Sequence, residues 1–298
     1  MKKAFLLVLF LSTFSLAQSA GNTGLSFLKF GFGAKNIAMG DAGAVSANDV
    51  TALFYNPARL AGKTDTEIML MHNEWIQDVR SEVLGVASEI WGLPLALGFN
   101  VTTVSDIEVR TRPGEADSKI DANYFYGSLS SGFPVINNVD FGLSVKYLYE
   151  GILSDQAAGW GFDFGLNYLT PVEGLSASAV VKNLGSMNAL RKEATKLPSE
   201  IRVGPAYHFE FTDSKIGVTT AAEFQKYLST EDIHFDLGAE GVYDNTIALR
   251  AGYQTGYESR DFTAGIGLIW GNLKFDYAFL PFSYGLGDAS VFSLQFRF

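Results

Sequence analysis

Few side chains in this sequence have the types and spacing that covalent chemistry needs. Cysteine is absent, which removes thiol nucleophiles, thiolate metal sites and a disulfide scaffold. The three histidines, His72, His208 and His234, fall on separate segments, and no H-E-x-x-H spacing occurs. Each reads as a lumen-facing or interfacial polar residue. No G-x-S-x-G elbow is present, and Gly31-x-Gly33 and Gly265-x-Gly267 lack the third glycine of a phosphate loop. The expectation is no catalytic group, no metal and no cofactor. What remains is electrostatic. Lys146, Asp163, Arg202, Glu223, Asp236, Glu240, Arg250 and Asp276 each sit opposite in parity to a run of apolar neighbours. Charges of both signs placed this way suit a buried network of ion pairs and hydrogen bonds.

The elements that would hold those charges are strands. From about Thr66 to Phe298 the dominant period is two. Val139, Phe141, Leu143, Val145, Tyr147 and Tyr149 alternate with Asp140, Gly142, Ser144, Lys146, Leu148 and Glu150. Ile233, Phe235, Leu237 and Ala239 alternate with His234, Asp236, Gly238 and Glu240. Such a pattern sends one set to each face of a sheet. Fourteen strands are expected, starting near residues 66, 81, 94, 120, 138, 158, 174, 200, 215, 232, 246, 261, 272 and 288. Many run to about ten residues, the length of a tilted membrane strand rather than the five or six of a soluble one. Alternate connections are short, as at Trp91-Gly92-Leu93-Pro94 and Gly271-Asn272, while others are longer, as at 104–119, 151–158, 185–199 and 280–288. Short periplasmic turns and longer outer loops give that asymmetry. The fold class is therefore all-β: a transmembrane antiparallel up-and-down barrel of about fourteen strands. A large soluble sandwich or propeller is the alternative, since its buried face is also apolar. An enzyme with a Ser–His pair on the barrel wall is a further alternative, because serines are plentiful.

Composition and the N-terminus agree. Lys2 and Lys3 precede an apolar run from Ala4 to Leu11, and Ser15-Leu16-Ala17 offers small residues for cleavage. Residues 1–17 read as a signal peptide, with the mature chain starting at Gln18; the run is short for a membrane anchor, which needs about 20 apolar residues. The formal charge of −10 argues against a nucleic-acid partner, which calls for a basic surface. Charged residues make up only 18%, while Gly (31), Phe (24) and Tyr (13) are abundant, which favours sheet. The chain is expected in the outer membrane, with bilayer lipid and the barrel assembly machinery as partners. The terminal aromatic Phe298 serves as the expected assembly signal.

One segment carries a family resemblance. Gly33 to Ala42 follows G-x-x-x-x-x-M-G-x-A, and Asp49 to Leu60 follows D-x-x-A-L-x-x-N-P-A-x-L. This resembles the opening of the PorV/PorQ family, related to the FadL-type long-chain fatty acid transporters. The resemblance implies a fourteen-stranded barrel (residues 64–298) whose N-terminal segment (residues 18–63) folds into the lumen as a plug or hatch. Gly40, Gly43, Asn56, Pro57 and Ala58 form its motif, with the small residues permitting movement. Asn56-Pro57 also reads as a plain turn before the first strand, since Pro57 restricts Asn56 to extended geometry. The resemblance implies passage or binding of small hydrophobic molecules through a hatch-gated lumen. The alternative it carries is a protein-interaction barrel for secreted proteins in type IX secretion or surface attachment. Leu280-Pro281-Phe282-Ser283-Tyr284 is the outer loop that would favour transport.

Overall fold

A computed structural model describes residues 23–192, 194–230 and 232–298. The expected signal peptide lies outside those residues. Fourteen strands form one closed antiparallel barrel, each paired with its sequence neighbours and β1 paired with β14. They are β1 (Glu67–Trp75), β2 (Val79–Ile90), β3 (Leu93–Val109), β4 (Ser118–Ile136), β5 (Val139–Ile152), β6 (Asp155–Leu169), β7 (Leu175–Met187), β8 (Glu200–Phe211), β9 (Ile216–Tyr227), β10 (Ile233–Tyr243), β11 (Ile247–Gln254), β12 (Phe262–Trp270), β13 (Leu273–Pro281) and β14 (Asp288–Arg297). The last strand closes on the first in the register Glu67↔Arg297 through Glu74↔Ser290. Among the described residues no helix is long and apolar enough to cross a membrane.

The period-two pattern sorts the side chains as expected. On β10 the outward Phe235 and Leu237 are exposed, and the inward His234, Asp236 and Glu240 are buried. Outward Leu249, Ile266, Leu268, Phe275, Leu294 and Phe296 continue the apolar belt around the short-stranded side. Exposed apolar surface of this extent belongs against lipid. A charge on that face costs about 2–4 kcal/mol at mid-membrane. Trp91 and Trp270, almost fully exposed at two periplasmic turns, mark one edge of the belt. The protein is thus an outer-membrane β-barrel.

Two connections differ from expectation. Residues 104–119 and 151–158 read as outer loops, yet β3 and β4 stay paired out to Val109↔Ser118, and β5 and β6 to Ile152↔Asp155. Above the bilayer no apolar side exists to be selected. The alternation therefore fades into Asp106, Glu108, Lys119 and Asp121 while backbone pairing persists.

Phe298 lies on the seam. The Phe298 N–H donates to the Thr66 carbonyl at 2.9 Å, and its ring packs edge-on to Phe296 at 4.6 Å. Deleting Phe298 is expected to lower the assembled fraction several-fold at native expression, read as the heat-modifiable band on gels. Unchanged assembly would reduce Phe298 to one more member of the lipid-facing stripe.

Candidate functional site

The lumen is the site, and the N-terminal segment lies inside it. Three short helices, α1 (Ala34–Ala38), α2 (Gly43–Ser46) and α3 (Ala52–Tyr55), are joined by tight turns and followed by a 3-10 turn at Pro57–Leu60. None is long enough to be stable in water by itself. The wall supplies the missing hydrogen bonds. Gly33 N–H donates to the Met71 sulfur at 3.0 Å, Ala34 N–H to Ser293 Oγ at 2.8 Å, and Gly40 N–H to Thr263 Oγ1 at 3.0 Å. Ala44 N–H donates to Glu223 Oε2 at 3.0 Å and Val50 N–H to Glu67 Oε2 at 2.5 Å.

The motif residues meet rows of wall glycines. Gly132, Gly142 and Gly165 stand opposite one another on β4, β5 and β6. A Cβ on Gly142 would fall 2.0 Å from Ala58 N, one on Gly132 2.4 Å from Pro57 O, and one on Gly165 1.9 Å from Asn56 Oδ1. Gly238 and Gly252, paired on β10 and β11, leave the same room for Met39 and Gly40. Backbone against backbone at these distances, or against the Asn56 amide at Gly165, admits only glycine. Asn56 spends its amide on both partners. Its Oδ1 caps Ala58 N–H at 3.1 Å, and its Nδ2 donates to Leu166 O of the wall at 3.1 Å. Pro57 opens the 3-10 turn, where it forgoes an N–H that would have no acceptor. Gly40 has φ +68, and a Cβ there would lie 2.5 Å from Leu237 O. One on Gly43 would strike the Tyr55 ring at 2.6 Å. Close packing therefore accounts for both glycines, whatever part they take in movement.

The eight charged positions read from the sequence are all buried on the lumen side, but they form three groups rather than one network. Lys146 pairs with Asp163 at 2.6 Å. Arg202 meets Glu223 at 3.1 Å, Glu200 at 3.1 Å and the plug's Asp41 at 3.3 Å. Asp41 also accepts from Tyr55 Oη at 2.5 Å, and Tyr55 Oη accepts Phe32 N–H at 2.8 Å. Asp236 stands opposite Glu223 and, among the described residues, takes a long bond from Gln254 Nε2, 3.3 Å. Arg250 bridges Glu240 at 2.6 Å and Asp276 at 2.8 Å. Sequence reasoning missed Asp41, Tyr55, Glu200, Lys182, Lys35, Asp49 and Glu67. Asp41 and Asp49 sit within the quoted motifs, and that was their available signal.

The third group reaches the periplasmic end. Lys35 lies 3.8 Å from Glu240 and 4.0 Å from Asp49, and Lys274 lies 3.8 Å from Asp49. Burial pushes the Asp49 carboxyl up, but Lys35, Lys274 and the Thr51 hydroxyl outweigh it and hold it well below the usual carboxylate range. These residues roof a cavity of about 710 Å³ that opens between the periplasmic turns and is also lined by Arg250 and Arg297. His208 lines it too, His234 is buried in the lumen, and His72 projects from the outer wall toward Glu82 at 2.6 Å.

The outer half of the lumen is built of rings. Phe27 packs on Tyr124 at 5.4 Å and on Tyr126 at 6.2 Å. Phe30 stacks on Trp75 at 4.7 Å, and Trp75 meets Phe282 edge-on at 5.3 Å. The segment leaves toward the outer connection 188–199, where Gly24 N–H donates to Lys196 O at 3.1 Å.

A closed fourteen-stranded wall, an N-terminal segment folded within it and an apolar belt outside define a FadL-like outer-membrane barrel fold. Solved structures of like fold include the toluene transporter TodX of Pseudomonas putida (TM-score 0.60, 14% identity, 90% of this chain and 97% of that one). The monoaromatic hydrocarbon channel CymD (TM-score 0.61, 14% identity, 90% and 97%) and a Pseudomonas aeruginosa FadL homologue (TM-score 0.53, 12% identity, 89% and 97%) are two more. No family model and no curated protein sequence matches the chain. The likeness supports the FadL-type side of the sequence resemblance and lends nothing to the PorV/PorQ side. The first of these neighbours is a transporter and the second a channel.

Proposed function

We propose that this barrel passes small hydrophobic molecules across the outer membrane, with residues 18–63 acting as the hatch that gates the lumen. The observation that carries the reading is the ring-lined outer half, in which the segment's own Phe27 and Phe30 are seated. An apolar solute taken from water is favoured in such surroundings. The polar outer leaflet that obstructs it elsewhere is bypassed. The toluene and monoaromatic hydrocarbon channels of like fold support the same direction. Below the rings a solute meets the charged roof of Lys35, Asp49, Glu240 and Lys274, so passage requires the hatch to shift. A ligand shifts it only by binding the open arrangement more tightly than the closed one. No observation favours a secretion partner, and that reading is set aside.

Titration of purified protein with a panel of hydrocarbons and long-chain amphiphiles is expected to show saturable binding at micromolar or better affinity. Replacing both Gly40 and Gly43 with Val is expected to impair uptake by cells more than binding, because the added methyls press on Leu237 O and the Tyr55 ring. Absence of saturable binding, together with specific capture of exported proteins, would overturn the reading.

A further inference from the structure

Asn73 faces the lumen on β1 between Met71 and Trp75. It is 0% exposed, and among the described residues nothing bonds to its Oδ1 or Nδ2. A primary amide has two donors and an acceptor, and interiors pair such groups because leaving them bare is unfavourable. The register extends the polar character across three more strands. Asn73 stands opposite Ser81, Ser81 opposite Thr102, and Thr102 opposite Tyr124. The Ser81 and Thr102 hydroxyls lie 2.7 Å apart, and Thr102 donates to Asn100 at 2.8 Å. Ser81 and Thr102 are therefore matched, and the Asn73 amide is the unmatched member of the row. Rings stand at the two ends of the row: Trp75, the next inward residue after Asn73 on β1, lies under Phe30, and Tyr124 on β4 lies under Phe27.

No member of this row is charged. The lumen-facing cations Lys146, Lys182, Arg202, Arg250 and Lys274 sit on other strands, each already beside a carboxylate. Beside Trp75 lies Arg260, laid against the Tyr257 ring at 4.1 Å and the Trp75 ring at 5.3 Å.

We propose that Asn73, with Trp75 beside it on β1, is a ligand subsite for an uncharged aromatic compound that carries one hydrogen-bonding group, such as a hydroxyl or carbonyl. The site lies on the Trp75 side of the row, where Phe30 now sits, and the proposal rests on the transport reading above. A plain hydrocarbon fills the ring contacts but leaves the amide unmatched. A carboxylate finds no cation on the row and has to turn to Arg260.

Three probes with one skeleton test this by calorimetry on the purified full-length barrel: propylbenzene, phenylpropanol and phenylpropanoate. The expected result is that phenylpropanol binds about tenfold more tightly than propylbenzene, the worth of one good hydrogen bond to a buried group, and that phenylpropanoate gains no advantage. Asn73→Leu is expected to erase the alcohol's advantage while propylbenzene affinity stays within about twofold. Asn73→Ser, which keeps a polar group but draws it back from the lumen, is expected to shrink the advantage partly, and it carries the test if Asn73→Leu fails to assemble. Retention of the full preference in these variants overturns the proposal. So does tightest binding by phenylpropanoate, lost in Arg260→Gln. Saturable propylbenzene binding without an alcohol preference sinks this subsite alone; failure of all three probes to bind removes the transport reading with it.

Discussion

Deleting residues 18–63 is expected to convert a nearly closed barrel into a wide ion-conducting pore. Eight strands enclose only enough space for their own side chains, and sixteen to eighteen leave an aqueous channel. Fourteen lie between, and here the space is taken by Ala34, Ile37, Ala44, Val50, Leu53, Phe54 and Leu60, all buried. The wall they leave behind carries Lys146, Asp163, Arg202, Glu223 and Arg250 facing inward, so water enters the vacated space. The strand ladder itself needs none of the deleted residues. Single-channel conductance in planar bilayers is expected to rise about tenfold or more, as for a change from filled to open lumen. Equal conductance before and after would mean the segment does not seal the barrel.

The second large effect is expected from Arg202→Met. Arg202 is 2% exposed and is the guanidinium shared by Asp41, Glu200 and Glu223. Removing it leaves three buried carboxylates crowded together, with Lys182 near only one of them. Breaking a buried pair from one side typically costs about 3–5 kcal/mol. Denaturant titration in detergent should show a loss of that size. Because Asp41 belongs to the plug and Glu223 also holds Ala44 N–H, leak conductance should rise as well. Asp41→Asn added to Arg202→Met should recover part of the stability, since one uncompensated charge disappears. Arg202→Lys should rescue poorly, because one ammonium cannot reproduce the planar fork of donors. A loss below about 1 kcal/mol, the value of an exposed pair, would show that the cluster does not hold plug to wall.

Strands were legible because lipid enforces their parity. Val139 to Glu150 and Ile233 to Glu240 alternate cleanly, and every expected strand start falls close to an observed one. Lumen charges were legible for the same reason: an apolar outward neighbour identifies an inward Lys146 or Asp236. Partner choice was not. Arg202 meets Asp41 across 161 positions of sequence, and no periodicity reports such a distance. The plug itself lacks a repeating pattern, since its helices are one turn long and every face is buried. Lys35 and Tyr55 therefore carried no mark of their role. The wall glycines Gly132, Gly142 and Gly165 looked like ordinary barrel glycines until the motif was found lying across them.

The seam between β1 and β14 also dictates an order of events. Its pairs join Glu67 to Arg297, so this edge cannot form until residues 290–297 have arrived. Contacts so remote in sequence are slow to form. By then the plug must already be in place: it is bonded to Ser293 on the closing strand and to Glu67 on the opening one. Chains rarely thread through rings that have already closed. The wall therefore curls around its contents, and the Val50 contact with Glu67 on β1 is available long before the seam, while the sheet is still an open ribbon. A variant that misplaces that contact would be caught with its seam unsealed, and its defect would be one of timing before it became one of permeability.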